Sequence, residues 1–191
     1  MQIFACDADP DRAAHGLAVQ EHIVKMPLET AMILYSAHWL TAGRVPEGAP
    51  ERPYRLTHQH HPCVKWAAAS AGNYRWLAQH GLALCERYHE LTRRLRARDE
   101  AAGKKPRAVR RHKCEAHIRF LAAHPIAGLD EQTPFAVAIG PAELPRVAVY
   151  RDDGTLDAHA TYRKYASAEQ AYTRWQRRAA RGGAAAKRLK K

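Results

Sequence analysis

The most regular hydrophobic pattern in the chain lies between positions 66 and 91. Trp66, Ser70, Asn73, Leu77, Gly81, Leu84, Tyr88 and Leu91 recur there at three- and four-residue steps. Six of these eight are apolar or glycine, so the spacing predicts a long helix with this stripe turned to the core. Upstream, "MQIFACD" reads as a short strand or an extended lead-in. "DADPDRAAHGLAVQEHIVKM" then opens a helix, with Asp9 or Asp11 beside Pro10 as the cap. Pro27 kinks that helix or begins a second one reaching to about Leu40. Residues 43–63 hold four prolines and two glycines and read as a surface loop. "DEAAGKKP" breaks the pattern at 99–106, and a helix from about Arg107 to Ala123 follows, with Val109, Cys114, Ile118 and Leu121 inward. "TPFAVAI" reads as a helical turn or a strand, and "VAVYRDDG" as a strand entering a turn at Asp153–Gly154. A last helix is expected from about Asp157 to Ala180, with Tyr165, Ala168, Tyr172 and Trp175 on one stripe and Tyr162 a turn earlier.

These elements imply a mainly α protein: a compact multi-helix domain over residues 1–180, little or no β structure, and a basic flexible tail at 181–191. At 191 residues the chain is long enough to bury a sizeable core. It has no apolar run of about 18 residues, so no membrane partner is expected. Its acidic start lacks the blocks of a signal peptide. The four cysteines, Cys6, Cys63, Cys85 and Cys114, show no CxxC spacing and read as reduced thiols of a cytoplasmic protein.

Charge changes the picture more than composition does. The formal charge is +12, and the whole of the excess sits in two blocks. Residues 92–113 hold 10 basic and 2 acidic side chains, and residues 174–191 hold 8 basic and none acidic. The remaining body is slightly acidic. Such blocks bind polyanions by releasing counterions, so Arg93, Arg94, Lys104, Lys105, Arg110 and Arg111 are the expected phosphate-binding residues. DNA is the expected partner, and RNA is an alternative that charge does not separate from it. A solvated linker and tail would carry the same charges.

Candidate chemistry is sparse. "THQHHPC" and "HKCEAH" gather histidines and cysteines, but their spacing fits no standard zinc finger and no HExxH, so no metal is expected. The glycines form neither GxGxxG nor a phosphate loop, and there is no GxSxG elbow. No cofactor is expected. "TYRKYASAEQAYTRWQRR" interleaves aromatic and basic residues, as base-stacking surfaces do, although a core stripe has the same spacing. "NYRW" at 73–76 carries the same ambiguity. In "EHIVKMPLETAMIL", His22, Lys25 and Glu29 fall on one stripe of an otherwise apolar helix. An exposed Lys25–Glu29 pair would explain two of them. A carboxylate among apolar neighbours could instead move protons.

"LAVQEHIVKMPLE" (17–29) resembles the amino-terminal helix of the bacteriophage endonuclease V family, the pyrimidine-dimer DNA glycosylases. Leu17, Ala18, Gln20, His22 and Glu29 occur in that family's order, with the glutamate seven residues beyond the histidine. "YRLTHQHHP" before the long helix is similar to bacterial members, and "TYRKYASAEQAYTRW" to the family's aromatic carboxyl end. A wider set of phage and bacterial proteins shares a similar start, a "HHPC" centre and a "TPFA" segment. The resemblance implies a helical enzyme that flips a nucleotide and attacks the sugar with an amino-terminal amine, a glutamate assisting. Carried over, Glu29 is the acid–base residue and His22 a supporting polar group. Those enzymes have a small residue after a Met that is removed. Here position 2 is Gln, before which Met is expected to stay, so the nucleophile becomes the α-amine of Met1 or Lys25.

The expected function is therefore a glycosylase or abasic-site lyase acting on damaged or modified pyrimidine DNA. Its catalytic candidates are Glu29, Met1, Lys25 and His22. Its substrate-binding candidates are His61, Asn73, Tyr74, Arg75, Tyr162 and Tyr165. The alternatives are a non-catalytic DNA- or RNA-binding module, and an enzyme that modifies bases in phage DNA.

Overall fold

The computed structural model describes residues 1–17 and 20–167. The expected stripe positions Ala168, Tyr172 and Trp175, the rest of the last helix and the basic tail at 181–191 lie outside the described residues. Among the described residues the chain is helical without a sheet: α1 Pro10–Gly16, α2 Gln20–Ala42, α3 Pro62–Ala69, α4 Ala71–Ala101, α5 Glu115–Ala123 and the short α6 Leu144–Val147. A further helix, α7, occupies 158–167. The only β pairing among them is one antiparallel bridge, Tyr150 to Leu156, across the turn at Gly154. "TPFAVAI" is neither helix nor strand but an irregular, half-buried segment.

The starts of these helices follow their sequences. Asp9 caps α1, its Oδ1 accepting from Arg12 N at 2.8 Å, with Pro10 in the first turn where no N–H is needed. The helix expected over 66–91 is two helices. Ser70 adopts an extended conformation and its Oγ accepts from Asn73 N at 3.0 Å, so α3 ends and α4 is capped at one residue. Both N–H groups that follow, of Ala71 and Gly72, donate to Leu129 O. Six of the eight stripe positions, Trp66 to Leu84, are buried, and Tyr88 and Leu91 are half-buried as α4 runs outward.

Pro27 does not end α2. Its ring crowds the carbonyls of the preceding turn, and one of them, Val24 O, accepts from His112 Nε2 at 3.0 Å. The other ring nitrogen of His112 accepts from Cys114 N at 3.1 Å, so the neutral Nε2–H tautomer is fixed. The helix expected from Arg107 begins only at Glu115. Residues 107–113 run back along α4 instead. Arg107 makes a two-pronged pair with Asp99, and Arg110 exchanges backbone bonds with Thr92 Oγ1. Val109, expected inward, is consequently exposed.

The buried residues form one cluster that draws on residues 3–6 and on helices α1 to α7. Helices α2 and α4 meet closely at Gly81, where a Cβ would stand 2.5 Å from Thr30 Cγ2. No helix among the described residues is long and apolar enough to cross a membrane.

Candidate active site at the amino terminus

The first eight residues run through the body of the protein, with Ile3, Phe4, Ala5 and Cys6 buried. An extended segment with no sheet partner must find other hydrogen-bond partners, and here side chains supply them. His80 places Nε2 3.1 Å from Ile3 O and Nδ1 3.0 Å from Pro10 O. His159 Nδ1 lies 2.7 Å from Ala5 O. Arg163 donates to Cys6 O, and Trp76 Nε1 to Ala8 O. Helices α4 and α7 thus hold the segment from two sides. Phe4 has φ +53°, a left-handed conformation rare for a bulky residue. Its ring packs against His22 at 4.8 Å, Tyr165 at 6.0 Å and Tyr162 at 6.2 Å.

This path brings the chain's start onto Glu29, which is 7% exposed. Its Oε2 accepts the backbone N–H of Gln2 at 2.7 Å, and its Oε1 pairs with Lys25 Nζ at 3.0 Å. The lysine side chain is largely exposed, whereas that of Glu29 is buried. The charge of the α-amine of Met1 reaches His61 and Cys63, as does that of Glu29. His61 caps α3, its Nδ1 accepting from Cys63 N at 3.2 Å, so in the neutral ring the proton sits on Nε2. Burial, then the α-amine and His58, push the His61 pKa below its ordinary value, while Glu29 opposes them. Burial pushes the Cys63 thiol up to about 12, so it is no nucleophile near neutral pH.

Seven of the expected residues, Met1, His22, Lys25, Glu29, His61, Tyr162 and Tyr165, therefore gather around the amino terminus. Three others do not join them. Asn73 is fully buried, donating to Trp66 O and Thr133 Oγ1, both at 2.7 Å, and accepting from Thr133 N at 2.9 Å. Tyr74 is fully buried, bonded to His38 Nε2 at 2.9 Å and Leu121 O at 3.3 Å. Both were expected in a substrate pocket. Instead they are core brackets, because α4 is buried around more than half of its circumference and both have their polar groups satisfied by protein. Arg75 lies on the opposite side of that helix from the core and pairs with Asp130 at 2.7 Å.

The expected phosphate-binding residues are all exposed. Arg94 pairs loosely with Glu90 at 3.7 Å, and Arg111 with Glu86 and Glu115. Arg93, Lys104, Lys105 and Arg110 make no ion pair among the described residues. The bond from His112 to Val24 sets this basic segment one residue along α2 from Lys25. A hollow of about 440 Å³ beside this segment is lined by Val24, Tyr88, Leu91, Thr92, Arg107 and Arg110 among others. Among the described residues no three His, Cys, Asp or Glu side chains are grouped to hold a metal ion.

Gln2 and Phe4 are parts of this arrangement that the sequence reading did not place. Neither belongs to a recognisable pattern, and their roles depend on backbone positions. No protein-family model, curated protein or solved structure matches the chain.

Proposed function

We propose that the protein is a DNA base-excision enzyme, a glycosylase or abasic-site lyase for damaged or modified pyrimidine DNA. The observation that carries this reading is the 2.7 Å bond from Gln2 N to Glu29 Oε2, which confines the α-amine of Met1 to within about 6.4 Å of a buried carboxylate oxygen. The same carboxylate holds the amine of Lys25 on its other oxygen. Imine chemistry needs this pairing. The amine lone pair attacks C1′ of the flipped nucleotide. The glycosidic bond breaks, its electrons leave with the base, and the base takes up a proton. The added nitrogen gives up a proton, and its lone pair then expels O4′ from C1′, O4′ taking up a proton as the ring opens; the resulting open-chain iminium makes a 2′ proton acidic. Glu29 removes it, the C3′–O bond breaks and the 3′ phosphate departs. The exposed cations from Arg93 to Arg111 hold the backbone meanwhile. The resemblance of residues 17–29 to the pyrimidine-dimer glycosylases supports the same assignment.

The four cations that make no ion pair among the described residues also favour a second reading, a DNA- or RNA-binding module without catalysis. One experiment separates the two. The protein is mixed with labelled duplexes carrying an abasic site, a thymine dimer or no lesion, reduced with borohydride and run on a denaturing gel. The enzyme gives a covalent band on the lesion strand, mapped to Met1 or Lys25. Glu29→Gln lowers strand cleavage at least about 100-fold, the usual scale for a lost acid–base group, and leaves affinity unchanged. No band and no base release, with salt-sensitive binding to all three duplexes, would leave only the binding module.

A further inference from the structure

We infer that Gln2 is the positioning residue of this site, and that retention of Met1 is part of how the site is built. The inference rests on the reading of the α-amine as nucleophile. Gln2 is bonded through both its main chain and its side chain. The main-chain N–H holds Glu29 Oε2. The side-chain Nε2 donates to Ala138 O at 2.7 Å, and Oε1 lies 3.4 Å from the hydroxyl of Tyr162. That hydroxyl also accepts from Ala138 N and donates to Ala136 O, both at 3.0 Å. The carboxamide is therefore locked onto the 136–138 segment, and Tyr162 of α7 locks that segment in turn.

The covalent geometry does the rest. The α-nitrogen of Met1 is separated from Gln2 N by three bonds and can stand at most about 3.7 Å from it. With Gln2 N pinned, the α-amine is confined to within about 6.4 Å of Glu29 Oε2. The Met1 side chain is partly buried and packs against the core, which fixes the residue from its other end. A chain terminus ordinarily frays, and an amine that frays cannot be held in line with a sugar carbon. A large amide at position 2 thus has two effects on this site. It keeps Met1 in place, and it anchors the nitrogen that Met1 carries. A small residue there could do neither.

The test uses Gln2→Met, which preserves length and Met1 retention but removes the side-chain hydrogen bond to Ala138 O and the polar contact with Tyr162. Intact mass confirms that Met1 is present in each protein. The rate at which an activated ester labels the α-amine, read by peptide mapping with the lysines as internal standards, is measured without DNA. Labelling of Met1 should rise at least 5-fold in the variant while lysine labelling stays constant. In the borohydride assay the variant should trap abasic DNA at least 10-fold more slowly, while its affinity for a duplex with a tetrahydrofuran abasic analogue is unchanged. Tyr162→Phe, which removes the bracing hydroxyl and keeps the ring, should move both readouts the same way and serves if Gln2→Met does not fold. Equal Met1 labelling in wild type and variant overturns the anchoring whatever the protein does to DNA. Increased labelling with no trapping by the wild type would keep the anchor and sink the amine chemistry it was inferred to serve. Equal loss of trapping and analogue affinity would show a general structural defect instead.

Discussion

Substituting Gly81 by Ala is the sharpest test of how the body of the protein holds Glu29. The Cβ would stand 2.5 Å from Thr30 Cγ2 and 3.3 Å from two carbons of Ile118. Carbon atoms pack comfortably at about 3.5–4.0 Å, so α2 and α4 must part by roughly 1 Å. Thr30 cannot swing aside easily, because it is 2% exposed and β-branched in a helix. Overpacking of this kind costs about 1–3 kcal/mol. Alanine recovers about 1 kcal/mol over glycine in helix propensity. The net expectation is a loss of up to about 2 kcal/mol, or up to roughly 8 °C in Tm for a chain of this size. Thr30 adjoins Glu29, so the displaced helix also stretches the bond to Gln2, and borohydride trapping should fall. Urea unfolding of four proteins measures the coupling: wild type, Gly81→Ala, Thr30→Ser and the double variant. Thr30→Ser deletes the clashing methyl, so the glycine substitution should cost at least about 1 kcal/mol less in that background. An equal cost in both backgrounds, or a Gly81→Ala protein more stable than wild type, would refute the close packing of α2 on α4.

Asn73→Ala should cost about 2–4 kcal/mol in urea unfolding, since it orphans Trp66 O and Thr133 N in the core; DNA affinity of the folded protein should not change, and a selective loss of affinity would return Asn73 to the substrate site. Burial lowers the pKa of His38, His61, His80, His112 and His117. The unfolded chain therefore takes up protons near pH 6.5 that the native state resists. Stability should be full above that pH and fall as the pH drops through the lowered folded values, well before the carboxylates titrate, so flat urea midpoints from pH 7.5 to 5 would contradict the burial. Replacing Arg93, Lys104 and Lys105 together by Gln should reduce the slope of log affinity against log salt by about 2.7 if each holds a phosphate; an unchanged slope measured by anisotropy would place DNA elsewhere.

Helix positions were legible in the sequence where burial is periodic. The stripe from Trp66 to Leu84 is such a case, as are Asp9 and Pro10 at the start of α1. The errors have a common cause, which is hydrogen bonding from distant residues. Ser70 looked like one more position in a stripe, and the Leu129 carbonyl made it a boundary between helices. Pro27 was expected to kink the helix or to begin a second one; no second helix begins there, and His112, 85 positions later, gives a neighbouring carbonyl its partner. Residues 107–114 looked helical from about Arg107 onward, but bonds from Arg107 to Asp99 and from Arg110 to Thr92 tie this stretch to α4 and the helix begins only at Glu115. Of the expected site, the stripe of His22, Lys25 and Glu29 was readable because helical spacing alone places it. That Asn73 and Tyr74 belong to the core was not readable, because "NYRW" has the same pattern whether its ring faces solvent or Leu121.

The amino terminus makes a stronger physical case for a site than any single residue in it. Ordering the first eight residues costs about 1–2 kcal/mol each in backbone entropy, and Phe4 adds a left-handed conformation costing roughly 1–3 kcal/mol more. A sheet would return that cost through backbone pairing, and none is present here. The return comes instead from Trp76, His80, His159, Tyr162 and Arg163, placed by two helices to bond with or brace one strand of chain. Of these, His80 is buried with both ring nitrogens facing carbonyl oxygens, although a neutral imidazole can donate to only one. A fold that merely needed to bury Ile3 and Phe4 could do so with apolar contacts. What the polar grip adds is a fixed direction for the chain, and that direction ends at Gln2 on Oε2 of Glu29.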